Sequence, residues 1–94
     1  MERTQFEKLV ADVRIVPVVV IKDLQDTIPT LSALREGGIP IAEITFRTAC
    51  AEQAIRNITA NVPDMLVGAG TVLTTEQADK AMNAGAKFLV SPGL

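Results

Sequence analysis

Two hydrophobic periods alternate along this chain. Short runs of β-branched and other apolar residues begin near residues 15, 41, 65 and 87, and each has the composition of a strand. Between these runs, apolar residues recur every three or four positions, which is the spacing of one face of a helix. A strand followed by a helix at this regular spacing predicts parallel strands joined by right-handed crossovers, as in a doubly wound sheet or a (β/α) barrel.

The N-terminal part of the chain is predicted to form a short helix and the first strand. Thr4 and Glu7 have the spacing of a capping box, which predicts an amphipathic helix over residues 5–13. The β-branched run 15–21 predicts the strand. Because Pro17 cannot donate a backbone hydrogen bond, we expect it near the start of this strand or on an unpaired edge.

The second helical stripe is predicted to end at Glu36, with Gly37 as a left-handed C-terminal cap. Its start has two alternatives. If Asp26 is the N-cap, Pro29 falls in the first turn, where its missing N–H costs nothing. If Asp23 is the N-cap, Pro29 lies further inside the helix and a kink is expected.

Two more helices follow the second and third strands. Thr48 is expected to cap the first of them, and a second capping box at 74–77 starts a helix that runs to about Ala84 and is closed by Gly85. The remaining strands are predicted at 65–71 and 87–91. The apolar face of the helix after Thr48 is predicted to point inward and consists of Ala51, Ala54, Ile55, Ile58 and Val62.

The second strand sets three polar side chains into an apolar run. Side chains alternate between the faces of a strand, so Glu43, Thr45 and Arg47 share one face while Ile44 and Phe46 share the other. A central strand of a parallel sheet is buried on both faces and normally reads as continuously apolar. The polar face therefore belongs either to a site or to a solvated edge.

Small and polar residues also gather where the later strands end. Segments 68–71 and 91–93 follow the third and fourth strands, at the edge where parallel α/β sheets place their sites. This favours a site over an edge for the polar face of the second strand. A dinucleotide fingerprint is a weaker alternative, because the third glycine of G-x-G-x-x-G would fall at Leu73.

The amino-acid composition excludes several kinds of active site and binding partner. The 94 residues contain no histidine and one cysteine, Cys50, so the usual zinc sites and histidine-activated nucleophiles are excluded, and we expect no metal or cofactor. The nine basic residues are scattered over a chain of net charge −2, which argues against nucleic-acid or anionic-membrane partners. No apolar run approaches the length of a membrane span, so a cytoplasmic location is expected.

Four segments together resemble the N-terminal half of 2-keto-3-deoxy-6-phosphogluconate (KDPG) aldolase, also known as 4-hydroxy-2-oxoglutarate (KHG) aldolase. They are residues 15–23, 37–48, 67–73 and 84–93, and the likeness extends over essentially the whole chain. The resemblance implies that residues 1–94 are a single incomplete domain. This domain would be half of a (β/α)8 TIM barrel, with four parallel strands, helices on the outer face and a short N-terminal helix.

The resemblance also implies an activity and its residues. Members are class I aldolases that use a lysine Schiff base to split KDPG or KHG into pyruvate and an aldehyde, glyceraldehyde 3-phosphate or glyoxylate. Glu43 matches the family's general acid/base, and burial in a barrel would raise its pKa toward neutrality. Arg47 and Thr71 match ligands of the pyruvate carboxylate, while Ser91 and Pro92 match a wall of the same pocket.

One part of the family's site has no counterpart here. The Schiff-base lysine of the family lies on the sixth strand in a Lys-Phe-Phe-Pro-like motif, which these 94 residues do not contain. We therefore expect the chain to be inactive alone, and to work with a complementing C-terminal half or as a homo-oligomer, since the family is often trimeric. The alternative is a non-enzymatic half-barrel that serves in binding or assembly.

Overall fold

The computed structural model describes residues 7–8 and 16–91, which form an α/β fold with a parallel sheet. The strands are β1 (Val18–Val19), β2 (Ile41–Thr45) and β3 (Leu66–Gly70), in the spatial order β1-β2-β3. Both strand pairs are parallel, and Glu43 on β2 lies opposite Val18 on one side and Gly68 on the other. The parallel pairing predicted from the strand and helix spacing is confirmed.

The helices lie between the strands, as predicted. They are a 3₁₀ turn (Leu24–Asp26), α1 (Thr27–Glu36), α2 (Ala51–Asn61) and α3 (Thr75–Ala84). Glu7 and Lys8 are helical and exposed, in agreement with that part of the predicted N-terminal helix, and the rest of 5–13 lies outside the described residues. In the described part of the chain, no helix has the length and apolarity that a membrane crossing requires.

One face of the sheet packs against the helices and forms the core. Every residue of the predicted inward face of α2 is buried, which confirms that periodicity. Burying one Ile or Leu side chain contributes about 1.5–3 kcal/mol, so this layer holds the helices firmly on the sheet. The buried cluster includes Leu31 of α1, Ala42 and Ile44 of β2, Ala54, Ile55 and Ile58 of α2, Val67 and Ala69 of β3, and Ala81 and Ala84 of α3.

Both predicted alternatives for the start of α1 hold in part. Asp26 occupies the N-cap position of α1, although its side chain makes no capping hydrogen bond, and Pro29 lies in the first turn. The Asp23 carboxylate instead accepts a hydrogen bond from Gln25 N at 3.0 Å and caps the preceding 3₁₀ turn. Two short helical pieces therefore replace the kinked helix of the second alternative.

Helix α1 ends at Glu36 and Gly37 is its C-terminal cap, as predicted, but the left-handed conformation falls one residue later. Gly37 has a φ of −79°, and Gly38 takes the left-handed conformation with a φ of 89°. The reason is the bonding that closes the helix: Ile39 N donates to Leu34 O at 2.9 Å and Gly38 N donates to Arg35 O at 3.0 Å. These two bonds make a Schellman motif, whose left-handed position falls on residue 38.

Thr48 does not cap α2, which corrects the sequence prediction. Cys50 occupies the N-cap position without a side-chain capping bond. Thr48 Oγ1 donates to Ile21 O at 2.7 Å, and Cys50 Sγ donates to the same oxygen at 3.0 Å. Both side chains thus tie the loop after β2 to the chain that leaves β1.

The caps of α3 agree with the prediction. Thr74 Oγ1 accepts a hydrogen bond from Gln77 N at 3.1 Å, and Gln77 Oε1 accepts one from Leu73 N at 2.7 Å. Gly85 closes the helix in the left-handed region with a φ of 111°. A residue with a Cβ would be strained at this φ.

The outer strands are shorter than predicted. Of the described residues 16–21 in the predicted strand 15–21, Val18–Val19 form the regular strand, and the Pro17 carbonyl before them accepts a hydrogen bond from Glu43 N at 2.9 Å. The predicted fourth strand, 87–91, makes one parallel bridge, between Leu89 and Ala69. The sheet of the described residues thus has three strands, not four. Among these residues each outer segment has a partner on one side only, so its pairing is less regular.

Candidate active site

Strand β2 divides its side chains between the two faces of the sheet. Ala42 and Ile44 lie in the core against the helices, and Phe46 packs partly buried against the same cluster. Since side chains alternate along a strand, Glu43 and Thr45 lie on the face opposite the helices, which we call the inner face.

The Glu43 carboxyl lies over the backbone of Gly70 on the neighbouring strand. A Cβ on residue 70 would overlap Glu43 Oε2 and would stand only 2.5 Å from Cδ and 2.8 Å from Cγ. Gly70 is the register neighbour of Thr45, so the carboxyl reaches diagonally across the strand pair. The absence of a side chain at residue 70 is what allows this position.

Gly68 makes space for a second close approach. A Cβ there would overlap atoms of the Phe88 ring. Segment 87–91 holds this ring against β3 through backbone bonds, including Ala69 N to Phe88 O at 3.0 Å. The two glycines of the G-x-G pattern therefore make room for side chains that approach the backbone closely at the end of a strand.

Glu43 is half-buried, and desolvation raises the pKa of its carboxyl. Burial disfavours the charged form, so the group keeps its proton to a higher pH than a solvated glutamate. Proton transfer is most efficient when the pKa of the transferring group lies near the working pH. A glutamate in this environment is suited to give and take protons.

Two further predicted residues follow the ends of the same strands. Arg47 comes two residues after β2, and its side chain is exposed and forms no ion pair within the range 16–91. Thr71 comes directly after β3. Phe46 N donates to Gly70 O at 2.8 Å, so the two strands are still paired where these residues begin. Arg47 and Thr71 thus lie at the same edge of the sheet.

The backbone of Thr71 is strained. Its φ is 55°, and among the described residues it is the one non-glycine with a positive φ. A β-branched residue is a genuine outlier in this region, and such conformations cost of order 1–3 kcal/mol and cluster at functional sites. This observation supports Thr71 as a site residue independently of its sequence position.

Ser91 borders a groove. The groove has a volume of about 410 Å³ and lies between α3 and segment 87–91. Ser91 lines it, whereas Glu43, Arg47 and Thr71 do not. Pro92 lies outside the described residues. The other lining residues are Val72, Leu73, Thr74, Thr75, Ala78 and Leu89.

Thr45 has no role predicted from the sequence, although it belongs to the polar face of β2. In the structure Thr45 is 1% exposed, and its hydroxyl has no hydrogen-bond partner among the described residues. Its position between Glu43 and Arg47 on one strand face was the signal that could have identified it. In the range 16–91 and at residues 7–8, the structure brings together no group of three His, Cys, Asp or Glu side chains that could bind a metal.

The family model described as "Aldolase: KDPG and KHG aldolase" matches residues 6–94. The KHG/KDPG aldolase of Escherichia coli is 45% identical over 92 residues, which are 98% of this chain and 43% of the relative. The 2-dehydro-3-deoxy-phosphogluconate aldolase of Treponema pallidum is 51% identical over 90 residues, 96% of this chain and 42% of the relative. The chain thus spans less than half the length of these curated relatives.

Solved structures agree in fold. The KDPG aldolase of Zymomonas mobilis ZM4 with 3-phosphoglycerate matches with a TM-score of 0.88 and 42% identity, over 99% of this chain and 44% of that one. The enzyme of Legionella pneumophila, with pyruvate captured as a covalent carbinolamine, matches with a TM-score of 0.86 and 43% identity, over 92% and 42%. With the family model extending over nearly its whole length, this chain belongs to the KDPG and KHG aldolases.

Proposed function

We propose that this chain carries the proton-transfer and carboxylate-binding part of a class I aldolase site. The reaction would split KDPG or KHG into pyruvate and glyceraldehyde 3-phosphate or glyoxylate. The observation that supports it best is the Glu43 carboxyl, which lies over Gly70 on the inner face and has its pKa raised by desolvation. The carbinolamine captured in the Legionella pneumophila enzyme is an intermediate whose formation and dehydration both need a proton donor.

Glu43 is the group that moves these protons. In its neutral form it donates to the oxygen of the carbinolamine as water leaves, and in its ionised form it accepts the proton of the substrate's C4 hydroxyl as the carbon–carbon bond breaks. Both forms must be accessible at the working pH, and the raised pKa brings that about.

Arg47 and Thr71 bind the carboxylate of the pyruvate portion. A guanidinium group offers a planar fork that matches a carboxylate, and the Arg47 side chain is exposed and unpaired within the range 16–91. The strained backbone of Thr71 fixes its hydroxyl at the same edge of the sheet. Ser91 and Pro92 remain proposed wall residues; Ser91 borders a separate groove in this structure.

The lysine that forms the Schiff base comes from outside these residues. Lys8 and Lys22 are exposed, and Lys80 pairs with Glu76 on the surface of α3 at 3.3 Å. Lys87 is exposed at the start of segment 87–91, whose bridge to β3 lies two residues further on, at Leu89. An imine-forming amine must be desolvated or placed beside another cation to lose its proton, and these positions do not provide that.

In architecture, we propose that residues 1–94 are one half of a (β/α)8 barrel and a single incomplete domain. Segment 87–91 runs along β3 as a fourth strand would, and α1, α2 and α3 pack on the same face of the sheet. Apolar side chains are exposed at both outer segments, at Val18, Val20, Leu89 and Val90. This exposure favours association with a complementing half or with other copies of the chain.

The same exposure supports the second candidate, an assembly domain without catalysis. A chimera distinguishes the two: residues 1–94 are joined to the remaining part of the Escherichia coli relative, and pyruvate release from KDPG is measured. We expect turnover, and we expect Glu43→Gln to lower kcat by about 100-fold or more, the lower bound for general acid–base catalysis. Glu52→Gln, on the solvent side of α2 where it pairs with Arg56, is the matched control and should not change kcat. An undiminished kcat in Glu43→Gln would refute the assignment.

A further inference from the structure

Thr45 buries a hydroxyl group that lacks a partner within the described residues. The side chain is 1% exposed, and Oγ1 forms no hydrogen bond. Buried polar groups in folded proteins nearly always have a partner, because an unpaired hydroxyl loses its bonds to water and gains nothing in return. A valine would fill the same space without that loss, so packing alone does not explain why this residue carries a hydroxyl.

Thr45 lies on the strand pair beside the position of the Glu43 carboxyl. Thr45 and Glu43 share the inner face of β2, and the register neighbour of Thr45 is Gly70, over which the carboxyl lies. Arg47 follows Thr45 by two residues, and Thr71 follows Gly70 directly. The unpaired donor is therefore placed among the groups to which we assign proton transfer and carboxylate binding.

We propose that the Thr45 hydroxyl donates a hydrogen bond to an oxygen of the bound 2-keto acid; this inference rests on the proposed function. The ligand then supplies the acceptor that the free protein lacks. Because Oγ1 is buried, a group that covers it must move to admit the ligand, but no hydrogen bond of Oγ1 within the described residues has to break. Thr45 is thus a ligand-positioning residue in addition to Arg47 and Thr71.

A residue with this role has an unusual combination of mutational effects. Thr45→Val keeps the shape and removes the donor, so it should weaken binding of the 2-keto acid. It also removes a buried unpaired polar group, so it should leave the free energy of unfolding unchanged or higher. A purely structural threonine would behave in the opposite way, losing stability without a specific loss of affinity. Thr45→Ser retains the hydroxyl and should restore binding.

The chain provides a matched control. Thr27, the first residue of α1, is the other described residue with a fully buried, unpaired side-chain hydroxyl. Its helix packs on the face of the sheet opposite Glu43. Thr27→Val should therefore resemble Thr45→Val in stability and resemble the wild type in ligand binding.

The experiment titrates the 94-residue chain with pyruvate and follows the amide NMR signals of Gly70 and Thr71, with urea unfolding measured on the same samples. We expect a Kd about tenfold weaker for Thr45→Val, the effect of one hydrogen bond to a charged acceptor. Thr45→Ser should stay within about threefold of the wild type, Thr27→Val should match it, and Thr45→Val should not lower the urea midpoint.

The outcomes separate this inference from the proposed function. If Arg47→Met weakens pyruvate binding while Thr45→Val binds like the wild type, the role of Thr45 is wrong and the proposed site stands. If the wild type does not bind pyruvate, or Arg47→Met binds equally well, the proposed carboxylate site fails and the inference fails with it. A Thr45→Val chain that is destabilised or does not fold contradicts the inference directly.

Discussion

The carboxyl of Glu43 on β2 occupies the space that a side chain on Gly70 of β3 would fill. This relationship links a sequence feature, glycine at the end of the third strand, to the environment of the one carboxyl on the inner face of β2. It explains why a polar residue is accepted in the middle of a parallel sheet: its carboxyl end is held over bare backbone at the edge of the sheet where the strands finish.

The first prediction concerns Gly70→Ala. The new Cβ would overlap the Glu43 carboxyl, and since this is the end of a flexible side chain, it should move away from the sheet toward solvent. With less desolvation, the pKa of Glu43 should fall back toward its ordinary range. A 13C NMR titration of the labelled carboxyl measures this. Gly37→Ala is the control, because its Cβ would meet no atom closer than 3.4 Å. An unchanged pKa in Gly70→Ala would show that the carboxyl lies elsewhere.

The second prediction concerns the pH dependence of stability. The folded-state pKa of Glu43 is raised, so the folded chain holds this proton to a higher pH than the unfolded chain does. As pH rises from the ordinary glutamate pKa through the raised one, this group lowers the free energy of unfolding, and the loss is complete above the raised pKa. Glu43→Gln removes the effect.

Urea unfolding of the wild type and Glu43→Gln between about pH 4 and pH 8 tests this. The free energy of unfolding of Glu43→Gln minus that of the wild type should increase across the window and then level off. Subtracting the two proteins cancels the titration of all other groups. A difference that decreases with pH would mean that the folded state favours the ionised carboxylate, contrary to the burial of Glu43.

The third prediction concerns Gly68→Ala, which should push the Phe88 ring off β3. The added Cβ would overlap three ring atoms, and an aromatic ring cannot bend away as a flexible chain can. Overpacking of this kind costs about 1–3 kcal/mol of unfolding free energy. In the background of Phe88→Ala, the same glycine substitution should cost much less, so the double-mutant cycle reports the contact itself. Equal costs in both backgrounds would show that segment 87–91 does not hold the ring on Gly68.

Much of the fold could be predicted from the spacing of apolar residues along the sequence. The inward face of α2 and the alternation of β2 were predictable because buried apolar residues recur at the period of a helix or a strand. Gly85 was predictable because the end of α3 needs a left-handed residue. The left-handed residue after α1 is Gly38, not the predicted Gly37; two adjacent glycines satisfy the same local rule, and only the closing hydrogen bonds choose between them. Thr48 was misread because its hydroxyl bonds to Ile21, a partner distant in sequence.

The candidate site was predictable where it depends on strand alternation and less so elsewhere. The side of β2 that carries Glu43 and Thr45 follows from the period of two. The strained φ of Thr71 and the unpaired hydroxyl of Thr45 cannot be predicted from a single sequence, because both depend on how the strands assemble into the sheet. The wall role of Ser91, which the resemblance implies, stays a prediction; the structure shows that segment 87–91 is bridged to β3 at Leu89 and that Ser91 borders the groove beside α3.

We propose that this chain supplies the proton carrier and the carboxylate ligands of the site, and that the imine-forming lysine lies outside residues 1–94. Intact-protein mass spectrometry after incubation with pyruvate and borohydride tests it most directly. We predict no stoichiometric adduct on the 94-residue chain, and one adduct on the chimera with the Escherichia coli relative, mapped to a lysine outside residues 1–94. A stoichiometric adduct on Lys8, Lys22, Lys80 or Lys87 would contradict the account.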